Sequence, residues 1–183
     1  MEVLFLRLFI AISFEERIVS RIWELRELIR ANASGGNFTS RDNLHLTLAF
    51  IGETDSDRLT LIHEAMSNVS SASFSLQLRG AGRFKQRIGD IWWLGVEKNP
   101  ALIDMRQKLV DELTARGFRL DSRPYSPHIT IGRSVVTAGS HSLIMSQAES
   151  FVMEADVRSL SLMKSERKEG GLRYTEIFAR SLS

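Results

Sequence analysis

The chain has 183 residues, 43% of them apolar and 25% charged, a size and make-up that suit one globular domain able to bury a core and exclude a disordered segment or a membrane protein. It has no cysteine, which excludes disulfide scaffolds, thiolate zinc sites, iron–sulfur clusters and a cysteine nucleophile. With 24 Lys and Arg against 22 Asp and Glu, a polyanion would have to be held locally, not by overall charge.

From Val3 to Ile12 the chain is apolar but for Arg7. That arginine, Glu2 ahead of the run and the lack of a small-x-small cleavage site argue against an export signal. The run is also far short of the roughly 20 residues a membrane span needs, so a buried strand over 3–12 in a cytoplasmic protein is expected. Ser13 with Glu16 three residues on reads as a capping box. Ile18, Ile22, Leu25 and Ile29 follow at helical spacing and predict an amphipathic helix over 14–31, ending near Gly35-Gly36. A strand at 44–51, a helix at 56–69 (Leu59, Ile62, Met66, Val69) and strands at 73–79 and 89–97 come next. Asn99-Pro100 supplies a cap and a first-turn proline for a helix that turns Leu102, Met105, Leu109 and Leu113 inward and stops at Gly117. A strand at 128–133, a helix at about 139–149 and strands at 152–162 and 172–181 complete the chain.

His45-Leu46-Thr47-Leu48 recurs as His128-Ile129-Thr130-Ile131, 83 residues later. Carried across by the same offset, the first strand, the first helix and the strand at 73–79 all land on predicted elements. Two copies of a β-α-β-α-β unit then fill most of the chain and leave one strand over at its end. The fold class implied is α+β and bilobal, two pseudo-symmetric lobes facing each other across a groove in a single domain over 1–183.

Side chains alternate faces along a strand, so His45 and Thr47 share one face while Leu46 and Leu48 take the other, and the same holds in the second copy. A single such histidine is usually an interior polar group satisfied by hydrogen bonds; a duplicated pair in register points to function. Histidine can serve as base in one copy and acid in the other near neutral pH. Two imidazoles across one groove suit an in-line displacement at phosphorus, with the Thr47 and Thr130 hydroxyls donating to the non-bridging oxygens. Each proton transfer is worth roughly 10²–10⁴-fold, enough for an activated ester such as a strained cyclic phosphate. No Cys, no HExxH and no suitably spaced carboxylate beside either motif suggests a metal ligand set. Metal-independent catalysis with no cofactor is expected.

HLTLAFIGE at 45–53, RPYSPHITIGR at 123–133, RLFIAI at 7–12 and GGLRYTEI at 170–177 together resemble the two-histidine (2H) phosphoesterase superfamily, and within it the RNA 2′,3′-cyclic phosphodiesterase, or 2′-5′ RNA ligase-like, family. The resemblance runs over nearly the whole chain. It implies two antiparallel sheets, hydrolysis of an RNA-terminal 2′,3′-cyclic phosphate to a 2′-phosphate, and in some members a reversible 2′-5′ ligation of RNA ends. It further implies that His45 is the acid for the leaving O3′ and that His128 activates water.

Arg133, just past the second motif, is a candidate for phosphate binding, with the capping of strand charge as the alternative. Arg79, Arg83, Lys85 and Arg87, with Phe84 among them, form a basic loop over 79–87 of the kind that lines a single-stranded RNA site; a solvated hairpin is the other reading. Tyr125 and Tyr174 are candidate base contacts, though a half-buried sheet tyrosine is the commoner case. Trp92 and Trp93 alternate faces, so one belongs to the core. His63 and His141 read as surface residues, and Arg7 needs a core carboxylate or the substrate phosphate as partner. Two rival functions stay open: a related enzyme acting on a different small cyclic phosphate, and a nucleotide- or RNA-binding module with weak catalysis. The expected partner is RNA with a cyclic phosphate end or a small cyclic nucleotide, bound by a monomer away from membranes.

Overall fold

The computed structural model describes residues 4–183. Nine strands are β1 (Phe5–Ile12), β2 (Gly35–Phe38), β3 (Leu46–Asp55), β4 (Phe74–Phe84), β5 (Asp90–Val96), β6 (His128–Val136), β7 (Val152–Val157), β8 (Ser159–Lys168) and β9 (Gly171–Ser181). They form two antiparallel sheets, one in the order β3-β1-β8-β9 and one in the order β2-β6-β5-β4-β7. Four helices, α1 (Glu16–Ala31), α2 (Leu59–Asn68), α3 (Pro100–Ala115) and α4 (His141–Ala148), cover them. Helices α2 and α3 pack on each other and reach β9 and β3, while α4 packs on α1 and β4. Among the described residues no helix is long and apolar enough to cross a membrane.

The bilobal plan is present, with a connectivity the repeat alone does not reveal. The third strand of each repeat crosses to the other sheet: β4 pairs with β5, and β8 pairs with β1. Lys164 stands opposite Leu8 as Phe84 stands opposite Ile91, so the offset of 83 that relates 8 to 91 slips to 80 between 84 and 164. The order β3-β1-β8-β9 thus repeats as β6-β5-β4-β7. Both sheets are built from both halves of the chain.

Helical periodicity located the packing faces correctly. Ile18, Ile22, Leu25 and Ile29 of α1 and Leu102, Met105, Leu109 and Leu113 of α3 are buried, each such side chain contributing about 1.5–3 kcal/mol through burial. The Asn99 side chain accepts from Leu102 N at 3.0 Å, the expected cap. At α1 the expected capping box is absent. The N-cap is Glu15, and the Glu16 carboxylate turns to Ser20 Oγ (3.2 Å) and Arg41 instead of reaching back to Ser13.

Three strand expectations change. The stretch at 152–162 is two strands, broken at Arg158, where the chain leaves one sheet for the other. Strand β2 begins at Gly35-Gly36, where the sequence predicts only the end of the first helix. Gly36 has φ +146°, and a Cβ there would lie 2.9 Å from Val135 Cα, so only glycine lets β2 lie against β6. The first strand begins within the described residues at Phe5; Val3, its expected start, lies outside them.

Candidate active site

Strands β3 and β6 face each other across a groove, and each brings its histidine and threonine to it. The larger part of the groove, about 930 Å³, is lined by His45, Thr47, His128, Thr130, Arg133 and Tyr174 with parts of β1 and β8. A second arm of about 680 Å³ continues past Phe84, Arg106, Leu120 and Tyr125 and shares Thr47, His128, Thr130 and Arg133 with the first. Thr47, His128, Thr130 and Arg133 therefore stand where the two arms meet, with His45 beside them in the larger part. Arg7, Arg123, Arg133, Lys164 and Arg167 outnumber Glu53 and Glu166 along the larger part, which favours an anionic ligand.

Each imidazole is oriented the same way. His45 Nδ1 lies 2.7 Å from the Asn43 carbonyl and His128 Nδ1 lies 2.7 Å from the Ser126 carbonyl. A carbonyl oxygen can only accept, so Nδ1 carries the proton in both rings and Nε2 is the working nitrogen. His45 Nε2 meets Thr47 Oγ1 at 2.9 Å. Its ring packs between Phe9 (4.9 Å between centroids) and the edge of Tyr174 (5.3 Å). His128 packs edge-on to Phe84 (5.1 Å), with Trp93 at 6.2 Å. Burial pushes both histidines below the ordinary value of 6.5, the carbonyls at Nδ1 oppose it in part, and the Arg133 charge adds to the lowering in each. The positive form of His128 also lowers His45.

Strict alternation would turn Arg133 to the core with Ile129 and Ile131. Two irregularities prevent this. Trp93 pairs with Thr130 but Trp92 with Gly132, and Asp90 then pairs with Val135. Each step puts an extra residue into β6 and switches the face. Arg133, between them, swings into the groove, and Val135 returns to the core, with Ser134 at φ +52°. The same pair of slips occurs in β3, where Ile10 and Ala11 pair with Ala49 and Thr47, and Leu8 and Phe9 with Gly52 and Phe50. Phe50, 46% exposed, is thus the counterpart of Arg133. One lobe offers the groove a guanidinium, the other a phenyl ring.

Other expected site residues divide. Tyr174 and Phe84 line the groove beside the two histidines. Tyr125 lines the second arm, but its hydroxyl donates to the Thr47 carbonyl at 3.0 Å and its ring lies under Arg106 at 4.2 Å, so that hydroxyl is not free to read a base. Arg83 lines neither arm: the β4–β5 hairpin folds its guanidinium onto Asp90, with both side chains largely buried. Arg87 sits exposed at the hairpin tip and lines neither arm, next to Gln86, which lines the second. Trp92 is the core tryptophan, and Trp93, on the other face, packs beside Phe84 and His128. Arg7 is half-exposed over the Phe50 ring at 5.0 Å, 3.9 Å from Glu53, and needs no buried partner. His63 is stacked on Phe178 at 4.2 Å, not free on the surface. Among the described residues no three His, Asp or Glu side chains gather as a metal-binding set.

Sequence reasoning missed Asn43. Its buried side chain donates to the Leu172 carbonyl (2.8 Å) and accepts from Tyr174 N (3.1 Å), while its backbone holds His45. Its place two residues before the histidine was the only local signal.

Residues 14–169 match the model of the 2′-5′ RNA ligase superfamily. The chain is 35% identical over 131 residues to an RNA 2′,3′-cyclic phosphodiesterase of Thermotoga maritima, covering 70% of each chain. It is 28% identical over 172 residues to the Escherichia coli protein of that name, covering 93% of each. Its fold superimposes on the crystal structure of E. coli LigT complexed with 3′-AMP with a TM-score of 0.83, at 28% identity, over 100% of this chain and 99% of that one.

Proposed function

Because the chain belongs to the 2′-5′ RNA ligase superfamily, the two-histidine phosphoesterases, we propose that it hydrolyses the 2′,3′-cyclic phosphate at an RNA end, or on a nucleotide, to a 2′-phosphate. His128 Nε2 takes a proton from water as the water oxygen bonds to phosphorus; the P–O3′ bond breaks, and protonated His45 gives O3′ a proton from its Nε2. The product is a 2′-phosphate with a free 3′-hydroxyl. Thr47 and Thr130 donate to the non-bridging oxygens, and Arg133 neutralises the charge that builds on them. The single observation that carries the reading is the duplicated setting of the two imidazoles, each with Nδ1 tied to a carbonyl and Nε2 left to trade protons, His128 at the junction of the groove's two arms and His45 in the larger arm beside Thr47. One chain supplies the whole groove, so a monomer suffices.

The test is turnover of a 2′,3′-cyclic mononucleotide and of a cyclic-phosphate-ended oligonucleotide, each with and without EDTA. Both should be hydrolysed to 2′-phosphates at rates EDTA does not change, because two imidazoles perform both proton transfers. Binding without turnover, or loss of activity that Mg²⁺ or Zn²⁺ restores, would contradict the reading. The oligonucleotide should be preferred through the hairpin tip. Lys85→Ala with Arg87→Ala should raise its KM, flatten its salt dependence and spare the mononucleotide, whereas Arg83→Ala should lower the melting temperature and leave the salt slope alone.

The pH dependence follows from the two lowered pKa values. Activity needs one imidazole protonated and the other neutral, so kcat/KM is bell-shaped with its maximum midway between the pair's apparent values. Both lie below 6.5 in the free protein, and the maximum should therefore fall on the acid side of 6.5. A bound phosphate favours the imidazolium forms, so the kcat profile should sit at higher pH than that of kcat/KM. A kcat/KM maximum above neutrality would contradict the assignment.

A further inference from the structure

The chain reaches each histidine by crossing from the opposite sheet. Residues 35–39 run along β6: Phe38 pairs with Gly132, Thr39 N donates to the Ile131 carbonyl at 2.9 Å, and Thr39 Oγ1 donates to the Thr130 carbonyl at 2.9 Å. Six residues later the chain delivers His45 at the head of β3. The second crossing mirrors the first. Tyr125 is held at β3, its hydroxyl 3.0 Å from the Thr47 carbonyl, with Arg106 beneath its ring and Arg106 Nε donating to the Leu48 carbonyl at 3.0 Å. Three residues later the chain delivers His128 at the head of β6. So the lead-in to each histidine is fastened to the motif threonine of the other. Arg26 backs Thr39 as Arg106 backs Tyr125, with its Nε 3.3 Å from the Thr39 carbonyl and its guanidinium over Phe38.

We propose that the Tyr125–Thr47 and Thr39–Thr130 bonds form a reciprocal clamp that fixes the separation of the two imidazoles, making Tyr125 and Thr39 positioning residues for the reaction. A crossing of three to six residues has little slack, so its anchor on one sheet and its histidine on the other cannot drift apart independently. Releasing either anchor lets the groove widen and takes acid and base out of joint register, a loss felt by the chemical step more than by binding. This rests on the reading that both histidines act on one phosphate.

The experiment compares Tyr125→Phe, which keeps the ring under Arg106, with Thr39→Val and Thr39→Ser. Tyr125→Phe and Thr39→Val should each lower kcat about tenfold, through the misplacement of acid against base, with KM within about twofold. Thr39→Ser, which keeps the hydroxyl, should restore kcat. Ring-proton NMR of the resting proteins supplies a readout independent of turnover: Tyr125→Phe should move the His45 resonances, and Thr39→Val those of His128. The clamp is overturned if both variants keep kcat within twofold of the parent, or if each moves only the histidine nearer to it in sequence. If the parent chain hydrolyses no cyclic phosphate, the proposed function fails, and the cross-response of the ring protons still decides for or against the clamp.

Discussion

Replacing His128 with alanine should lower kcat/KM on a 2′,3′-cyclic phosphate by roughly 10²–10⁴-fold, the usual worth of a positioned proton-transfer group, and replacing His45 should cost about as much. The fold should tolerate both changes. Each ring lines the groove, so its loss opens space to solvent and not a cavity in the core, and circular dichroism and the melting curve should stay close to those of the parent. The double variant should be little slower than either single one, because an acid without its base, or the reverse, completes no concerted displacement. Additive losses would mean that the two groups act in separate steps or on separate substrates. Activity within tenfold of the parent in either single variant would remove the histidines from the chemistry.

Arg133→Met should produce the second large effect, a fall of about 10²–10³-fold in kcat/KM, in line with the removal of one donor aimed at developing charge. Methionine keeps most of the length and loses the guanidinium. Arg133→Lys should fall between, since a point charge replaces the planar fork but cannot bond two phosphate oxygens at once. The sign of a second effect is fixed as well. The Arg133 charge holds both histidines down, so its removal should raise both and move the kcat/KM maximum toward higher pH. A large loss of rate with an unmoved pH optimum would place Arg133 away from the imidazoles; a loss under threefold would remove it from the phosphate site.

The most legible part of the sequence was what depends on near neighbours. The alternation of His45, Leu46, Thr47 and Leu48 predicted which side chains share a face, and the spacing of the apolar residues in α1 and α3 predicted their buried stripes. The exchange of third strands was not legible, because the offset of 83 relates sequence copies and says nothing about which sheet a copy joins. Arg133 was picked for its charge and its place beside the motif; the two slips that turn it into the groove are set by pairing with β5, across the sheet. Arg83 misled for the opposite reason. Asp90 is seven residues away, and only the closing of the β4–β5 hairpin brings the two together. Asn43, Thr39 and Tyr125 show the limit most clearly. Each acts through bonds to residues 78 to 131 positions distant, which no local pattern announces.

Catalysis rests on the division of labour between the two imidazoles, and a change of leaving atom tests it. A thiol, with a pKa near 8.5, departs without a proton, whereas the alcohol oxygen at the 3′ position lies far higher, toward the 15.7 of water. On a 2′,3′-cyclic substrate with sulfur at the 3′ bridge, His45→Ala should therefore recover most of its roughly 10²–10⁴-fold loss, while His128→Ala stays slow because water still needs a base. Rescue of His128→Ala instead would reverse the two roles, and rescue of neither would contradict paired acid–base catalysis by His45 and His128.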